Sequence, residues 1–306
     1  THECSSAASD VYKRQEPASV RYAEDGLRVL LKGLAMQTGE VLAFLREFAP
    51  PFLSESWDNT GLLIGSESRD VSRIVTCLTL TPDVAAEAVE GEAQLIVTHH
   101  PVLFRAVQQI TDGNPEGRML LQLIEAGIAV YSPHTSYDSA RSGINQQLAE
   151  SLGLQSIQPI RQLESGDADS GEGDPAVGLG SGRFGDLAEP TTLADFVEAT
   201  KRALGVENTQ FVGDPSHNVQ RVGTACGAAA EFLRDAAKAG CDVLLTGEAR
   251  FHACLEARTL DIGLILPGHY ATERPAMENL AEILAGQFPD VEVQASQIES
   301  DPIRWA

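Results

Sequence analysis

The two halves of the chain repeat the same order of strand, helix and strand, and this repeat restricts the possible folds more than any other feature. A strand, helix, strand succession favours a mostly parallel sheet covered by helices. We therefore predict an α/β fold of two similar halves, related by internal duplication, with mixed, mostly parallel sheets facing a shared cleft. The repeated segments are 73–80, 82–91 and 95–100 in the first half, and 219–226, 228–239 and 242–248 in the second.

The apolar run at 95–100 ends in two adjacent histidines, His99 and His100, followed by Pro101. In open α/β sheets, ligands bind beyond the carboxyl ends of the strands. Consecutive strand residues point to opposite faces, so the two rings converge only if the backbone turns there, and Pro101 favours a turn. Two imidazoles at a strand end suit two neighbouring metal ions better than one. The alternative is a pair of surface histidines.

Each half also contains a histidine followed four residues later by a carboxylate. These pairs are His134 with Asp138, and His269 with Glu273, and each follows a short apolar run that predicts a strand. We interpret both segments as loops at the carboxyl ends of strands. The matched context predicts that the two loops face the same cleft as the histidine pair.

The residues that can bind a metal all fall at or just after predicted strand ends. An imidazole and carboxylate site without cysteine suits Zn²⁺, Mn²⁺, Fe²⁺ or Co²⁺ rather than calcium. Two such ions about 3.5–4 Å apart activate water and hold an oxyanion, so hydrolysis is the first chemistry to consider. The motifs Gly-x-Ser-x-Gly and Gly-x-x-x-x-Gly-Lys-Ser/Thr are absent from the sequence. The set is His99, His100, His134, Asp138, Glu248, His252, His269 and Glu273.

Composition predicts a leader at 1–35, a first α/β half at 36–160, an acidic, glycine-rich linker at 161–190, and a second α/β half at 191–306. Residues 5–15 resemble the in-frame translation of a sequencing adapter, so we interpret the leader as non-native or upstream sequence and expect it to be disordered. A transit peptide is the alternative, but the acidic residues of the leader argue against it. The acidic part of the linker has too few apolar residues to form a core.

The formal net charge of −22 limits the partners of this chain. Such an acidic surface repels nucleic-acid phosphates, which excludes non-specific nucleic-acid binding, and an anionic substrate would depend on bound cations. The five cysteines form no Cys-x-x-Cys pair, and Cys226, Cys241 and Cys254 are expected to be small core residues. With no signal peptide and no run of about twenty apolar residues, we predict a cytoplasmic protein that does not bind membranes.

Four motifs stand in order along the chain: Trp-Asp-Asn-Thr-Gly-Leu at 57–62, Thr-His-His-Pro at 98–101, His-Thr-Ser-Tyr-Asp at 134–138 and Gly-His-Tyr-Ala-Thr-Glu at 268–273. Together they resemble the GTP cyclohydrolase 1 type 2 homologue family, also called the NGG-interacting-factor-three-like or YbgI-like family. The resemblance implies two α/β domains, a dinuclear metal centre and a toroidal homohexamer. The segment between the halves is too short for an additional domain, which implies the compact form.

The resemblance also implies particular residue roles. Glu248 and His252 would act as catalytic acids or bases near the ions, with His134 beside them, and the ions would be Zn, Fe, Mn or Co. The substrate would be a small molecule, for some members GTP, whose purine ring opens with loss of formate. The alternative is a metal-binding regulatory or scaffold protein without turnover. Trp57 and Asp58 either pack and cap a loop or belong to the site. The implied metal ligands are His99, His100, Asp138, His269 and Glu273.

Overall fold

The computed structural model describes residues 35–163 and 178–305. The predicted leader, apart from Ala35, lies outside the described residues, and so does the acidic part of the predicted linker at 164–177. The helices, numbered α1 to α9, are Thr38–Phe48, Pro82–Glu90, Pro115–Ala126, His134–Ser139, Ile144–Ser151, Leu193–Leu204, Leu233–Lys238, Phe251–Thr259 and His269–Gln287. The strands, numbered β1 to β13, are Gly61–Ile64, Arg73–Thr79, Leu95–His100, Ala129–Ser132, Gln155–Gln158, Arg161–Gln162, Gly180–Ser181, Arg183–Thr192, Gln210–Val212, Asn218–Ala225, Val243–Thr246, Gly263–Leu266 and Glu292–Ala295.

The first sheet has five strands in the order β1-β4-β3-β2-β13. Strands β4, β3, β2 and β13 run parallel, and β1 pairs antiparallel with β4 at the edge. Helices α2 and α3 contribute apolar residues to a core on this sheet, while α9 packs against β2 and β13. The carboxyl ends of these four neighbouring parallel strands therefore meet at one edge of the sheet, as the sequence predicts for β3 and its histidines.

The second sheet has six strands in the order β5-β8-β10-β11-β12-β9. Strands β10, β11 and β12 run parallel, whereas β8 and β9 flank them in antiparallel pairs. Helices α7 and α8 cover these parallel strands with a second apolar core. Both sheets thus contain three parallel strands in chain order with an antiparallel strand beside the third. The α/β fold with mixed sheets is confirmed, and the internal duplication stays a prediction.

The sheets divide the chain differently from the predicted segments 36–160, 161–190 and 191–306. Strand β5 precedes residue 160 but pairs with β8 in the second sheet, and most of β8 falls inside the predicted linker. Strand β13, near the end of the chain, pairs with β2 in the first sheet, with Val293 opposite Ile74. Pairing between such distant segments depends on tertiary contacts, so local composition carries no signal for it.

Local signals correctly mark where several helices begin and end. Thr81 precedes α2, and its hydroxyl oxygen accepts a hydrogen bond from the Val84 N–H at 3.3 Å. Asn114 caps α3 in the same way, accepting from the Gly117 N–H at 2.7 Å. The left-handed φ of +72° at Gly127 ends α3, a conformation that glycine adopts without the steric penalty of a Cβ atom.

Two other sequence assignments were wrong. The segments after β4 and β12, interpreted as loops, begin helices at His134 and His269. The helix expected at 228–239 is instead a 3₁₀ turn at Ala230–Phe232 followed by the short α7. Among the described residues, none of the helices has both the length and the apolar character needed to cross a bilayer.

Candidate metal centre

A cavity of about 460 Å³ lies between the carboxyl ends of strands from both sheets. Strand β3 and the helix that follows β4 supply its ligand-bearing side chains from the first sheet. The helix that follows β12 supplies those from the second sheet, and Cys226 comes directly after β10. The titratable side chains that line this cavity include His100, His134, Asp138, Cys226, His269 and Glu273.

Strand β3 brings its two adjacent histidines together. His99 is 1% exposed, and its ring centroid lies 5.1 Å from that of His100. His100 stands opposite Thr79 of β2 in the parallel register, where its Nδ1 and the Thr79 hydroxyl share a hydrogen bond of 2.7 Å. Because Nδ1 is held in this way, Nε2 of His100 points into the cavity, 3.3 Å from Nε2 of His269.

Helix α9 places His269 and Glu273 on one face, because residues four apart in a helix are neighbours. Nε2 of His269 and Nε2 of His100 lie 2.9 Å and 3.1 Å from Oε2 of Glu273, which is 4% exposed. On its other side, Nδ1 of His269 lies 3.0 Å from the Glu248 carboxylate, which follows β11. Glu273 is therefore the central carboxylate of the cluster, and Glu248 orients the His269 ring from outside.

Helix α4 presents a second pair with the same four-residue spacing. Asp138 Oδ1 lies 3.6 Å from Nε2 of His99, and the Cys226 thiol donates a hydrogen bond to it at 3.2 Å. His134 has a left-handed φ of +33°, a strained conformation for a residue with a Cβ atom. Its Nδ1 is 2.7 Å from Oδ1 of Asp58, so a residue of the 57–62 motif fixes the ring.

Burial and neighbouring charges set the protonation states. Burial lowers the pKa of His99 well below its ordinary value, so the ring is neutral, the form that binds metals. Burial and the nearby charge of Glu273 raise the pKa of Asp138 to about 7. Burial opposes ionisation of Glu273, but hydrogen bonds from His100 and His269 hold its pKa well below the usual range. The hydrogen bond to Glu273 raises the pKa of His269 to about 9.

The donor set fits a metal. Neither ring nitrogen of His99 has a hydrogen-bond partner among the described residues, although both are buried. Buried polar atoms are nearly always paired, and coordination would satisfy one of these nitrogens. Two groups of side chains have ligand atoms within 4.8 Å of one another: His99, His100 and His134, and His100, His269 and Glu273. A metal-capable site of histidine and glutamate at the predicted position is therefore present.

Most, but not all, of the residues singled out in the sequence come together here. The structure brings His99, His100, His134, Asp138, His269 and Glu273 into one cluster, with Glu248 at its border. His252 does not line the cavity; it is exposed on α8, with its ring centroid 6.0 Å from that of Phe251.

Sequence reasoning missed two contributors. Cys226, expected to be a small core residue, is buried, but its thiol contacts Asp138. Cys226 ends the predicted strand at 219–226, and this position at the carboxyl end of a strand was the available signal. Thr79 carries no such signal, because its contact with His100 arises from the register between β2 and β3.

We expect Asp58→Asn to weaken metal binding by about 10- to 100-fold, the range seen when outer partners of ligand histidines are changed. Asp58 accepts hydrogen bonds from both the hydroxyl and the N–H of Thr135, at 2.5 Å and 3.2 Å, while also holding His134. An amide nitrogen in place of Oδ2 would face these two donors. Competition with a chelator measures the affinity, and Asp112→Asn, at an exposed loop residue, is the control. Equal affinity in the two variants would contradict the role of Asp58.

The fold and the cluster define an α/β protein with a histidine and carboxylate site where the strands of two sheets meet. The chain belongs to the Duf34/NIF3 (NGG1p interacting factor 3) family, whose model matches residues 36–302. This confirms the resemblance seen in the four motifs.

Relatives with known sequences and structures match over most of their length. The chain is 30% identical to a GTP cyclohydrolase 1 type 2 homolog of Clostridium perfringens, over 88% of this chain and 100% of that protein. It is 33% identical to the protein NIF3 homolog of Schizosaccharomyces pombe, over 83% and 92% of the two chains. The crystal structure of a Staphylococcus aureus hypothetical protein superposes with a TM-score of 0.80 and 27% identity, covering 89% of this chain and 100% of that one.

Proposed function

We propose that this chain is a metal-dependent hydrolase with a dinuclear centre, holding a pair of divalent ions drawn from Zn, Fe, Mn and Co. The observation that carries the proposal is the pair of ligand-capable groups that share His100. A bound pair of divalent ions supplies Lewis-acid polarisation of a substrate oxygen and activation of water. The chain has a net charge of −22, which repels an anionic substrate, and bound cations would counter this repulsion at the site.

The ligands we propose are His99, His100, Asp138, His269 and Glu273, with His134 as a further ligand-capable ring. His99 enters as a neutral, buried imidazole. Thr79 and Glu248 each hold the Nδ1 side of a ring, which leaves Nε2 of His100 and His269 facing the cluster. Such outer partners fix the tautomer and orientation of ligand histidines.

We assign proton transfer to Glu248. Its carboxylate is 54% exposed at the border of the cluster and lies 3.0 Å from Nδ1 of His269, so it can exchange protons with water and with that ring. His252 was a second candidate for this role from the sequence. His252 is exposed on α8 with its ring beside Phe251, whereas Glu248 contacts His269, so the proposal gives proton transfer to Glu248 alone.

The reaction we propose is of the GTP cyclohydrolase type, in which one water adds to C8 and opens the purine's five-membered ring to a formamide, and a second water hydrolyses the formamide to formate and an amine. The support is the four-motif resemblance and the names of relatives, since the Clostridium perfringens protein is called a GTP cyclohydrolase 1 type 2 homolog. A metal-binding scaffold is the second candidate. It is favoured by the name of a Saccharomyces cerevisiae relative, NGG1-interacting factor 3, which is 29% identical to this chain.

Metal analysis combined with a formate assay tests the proposal. We expect purified protein to hold about two ions per chain, as dinuclear hydrolases do, and to release formate from GTP. A chelator should abolish release, and adding back one of the four metals should restore it. His217→Ala is the matched control, because His217 lies beside the loop at Asp214, away from the cluster, and should change neither result. Retained metal without turnover of GTP would contradict the hydrolase and favour the scaffold.

The predicted homohexamer also belongs to this proposal. Large apolar side chains are exposed on the described surface, including Phe52 at 66% and Phe251 at 72%. Where such side chains are contiguous, they often mark contacts between chains. Light scattering on the purified protein gives the number of chains in the assembly.

A further inference from the structure

Two large aromatic side chains stand exposed beside the cluster. Trp57 is 60% exposed and Phe104 is 51% exposed. Their rings meet edge to face, with centroids 5.9 Å apart. The ring centroid of His134 lies 6.1 Å from that of Trp57 and 6.3 Å from that of Phe104, and Trp57 lines the cavity. The aromatic pair is therefore one side chain away from the candidate ligands.

Polar contacts of the two residues after Trp57 hold this pair in place. Asp58, the next residue, is anchored to α4 through Thr135 and His134. Asn59 donates a hydrogen bond from Nδ2 to the carbonyl oxygen of Leu103 at 2.7 Å, directly before Phe104. The loops that carry the two rings are thus tied to each other and to the site. Such preorganisation reduces the entropy that a ligand must overcome on binding.

The remaining lining favours recognition by ring stacking over recognition by charge. Arg161 is the one Lys or Arg side chain among the described residues that line the cavity. Its guanidinium already pairs with Asp235 at 2.7 Å and lies 3.9 Å over the ring of Phe232. Trp57 and Phe104, by contrast, expose apolar ring surface, on which flat heterocycles stack. Stacking on an aromatic ring does not depend on a positively charged side chain, so it is compatible with the net charge of −22.

We propose that Trp57 and Phe104 bind the planar heteroaromatic ring of the substrate, a nucleobase or a heterocycle of similar size, and hold it beside His134. The proposal rests on the proposed function in one respect, because it takes the molecule that reaches the metal centre to be the substrate. It adds the two side chains that hold the ring of that substrate.

Tryptophan fluorescence tests this on the full, metal-loaded chain. The sequence has two tryptophans, so Trp305→Phe leaves Trp57 as the single reporter. The probes are GTP, guanosine and inorganic tripolyphosphate. We expect GTP and guanosine to quench the Trp57 emission in a saturable way, since both carry the ring. Tripolyphosphate, which has the anionic chain without the ring, should leave the emission unchanged.

Equilibrium dialysis with GTP then tests whether Trp57 and Phe104 form the binding surface. Trp57→Ala and Phe104→Ala should each weaken GTP binding by about tenfold, in the range of one stacked base. Phe251→Ala removes a large exposed ring whose neighbour is His252 rather than His134, and should leave the affinity unchanged. Metal content and unfolding curves establish that each variant is folded and loaded.

Three outcomes would overturn the proposal: no quenching by GTP or guanosine, tripolyphosphate binding as tightly as GTP, or unchanged affinity in both Trp57→Ala and Phe104→Ala. None of these measurements needs turnover. Ring-dependent binding without formate release would therefore retain the stacking surface and reject the hydrolase. Formate release with unchanged GTP affinity in both variants would retain the hydrolase and reject the stacking surface.

Discussion

Glu273→Gln is expected to remove the metal. Oε2 of Glu273 lies 2.9 Å from Nε2 of His269, 3.1 Å from Nε2 of His100 and 3.9 Å from Nε2 of His99, so one carboxylate oxygen touches three candidate ligands. Glutamine keeps the shape but has no negative charge, and its amide nitrogen is not a metal ligand. We expect affinity to fall by more than about 100-fold, the upper end found for changes in outer partners. Elemental analysis after gel filtration measures the loss.

The control for this variant lies one helical turn further along α9. Glu278 has a side chain that is 65% exposed and pairs with Arg274 at 3.3 Å, so Glu278→Gln changes the same charge outside the cavity. Its metal content and formate release should equal those of the parent. Full metal content in Glu273→Gln would exclude this residue as a ligand, and with it the central position we assign to it.

Arg183→Leu is expected to lower the free energy of unfolding by about 2–4 kcal/mol, because buried carbonyl groups lose their donors. Arg183 is 1% exposed, and burial lowers its pKa to about 10. Its guanidinium donates to the carbonyl oxygens of Gly180, Gly182 and Ala140 at 2.6–2.8 Å. These bonds join β7, β8 and the segment between α4 and α5. Urea unfolding, with the midpoint and the slope fitted together, measures the change.

Arg234→Leu provides the comparison for this stability effect. Arg234 has a side chain that is 71% exposed and pairs with Glu256 at 2.6 Å on the surface. Exposed ion pairs contribute about 0–1 kcal/mol, so this variant should unfold close to the parent. If Arg183→Leu proved equally mild, water would be replacing the lost donors, and the guanidinium would not be holding these segments together.

The ends of the strands were predictable because they depend on local pattern. The apolar run before His99 is long enough to identify β3, and a strand end in an α/β sheet is where polar side chains gather. The four-residue spacing from His134 to Asp138 and from His269 to Glu273 could be read from the sequence, but not that each pair lies on a helix. In both cases the spacing brings the two side chains onto one face of a helix rather than along a loop.

Helix α9 was missed because the usual signals are weak in it. Gly268 and Pro275 mark turns in most sequences, and the apolar stripe of α9, which includes Met277, Leu280 and Leu284, begins only after Pro275. Pro275 is the seventh residue of α9, where proline has no N–H to donate to the carbonyl of Ala271 and usually ends or kinks a helix. The contact between Thr79 and His100 depends on register, and that between Cys226 and Asp138 on how the two sheets meet. Neither can be derived from spacing along the chain.

The return of β13 to the first sheet affects how the protein can be made. Glu292 pairs with Arg73 in the ladder between β13 and β2, although 219 residues separate them. Contacts between residues so far apart in the sequence form late, because the chain between them must be ordered first. On the ribosome, β2 keeps an unpaired edge until β13 emerges, and such edges are prone to aggregation. The sheet that carries His99 and His100 is thus completed only after every strand of the second sheet has been synthesised.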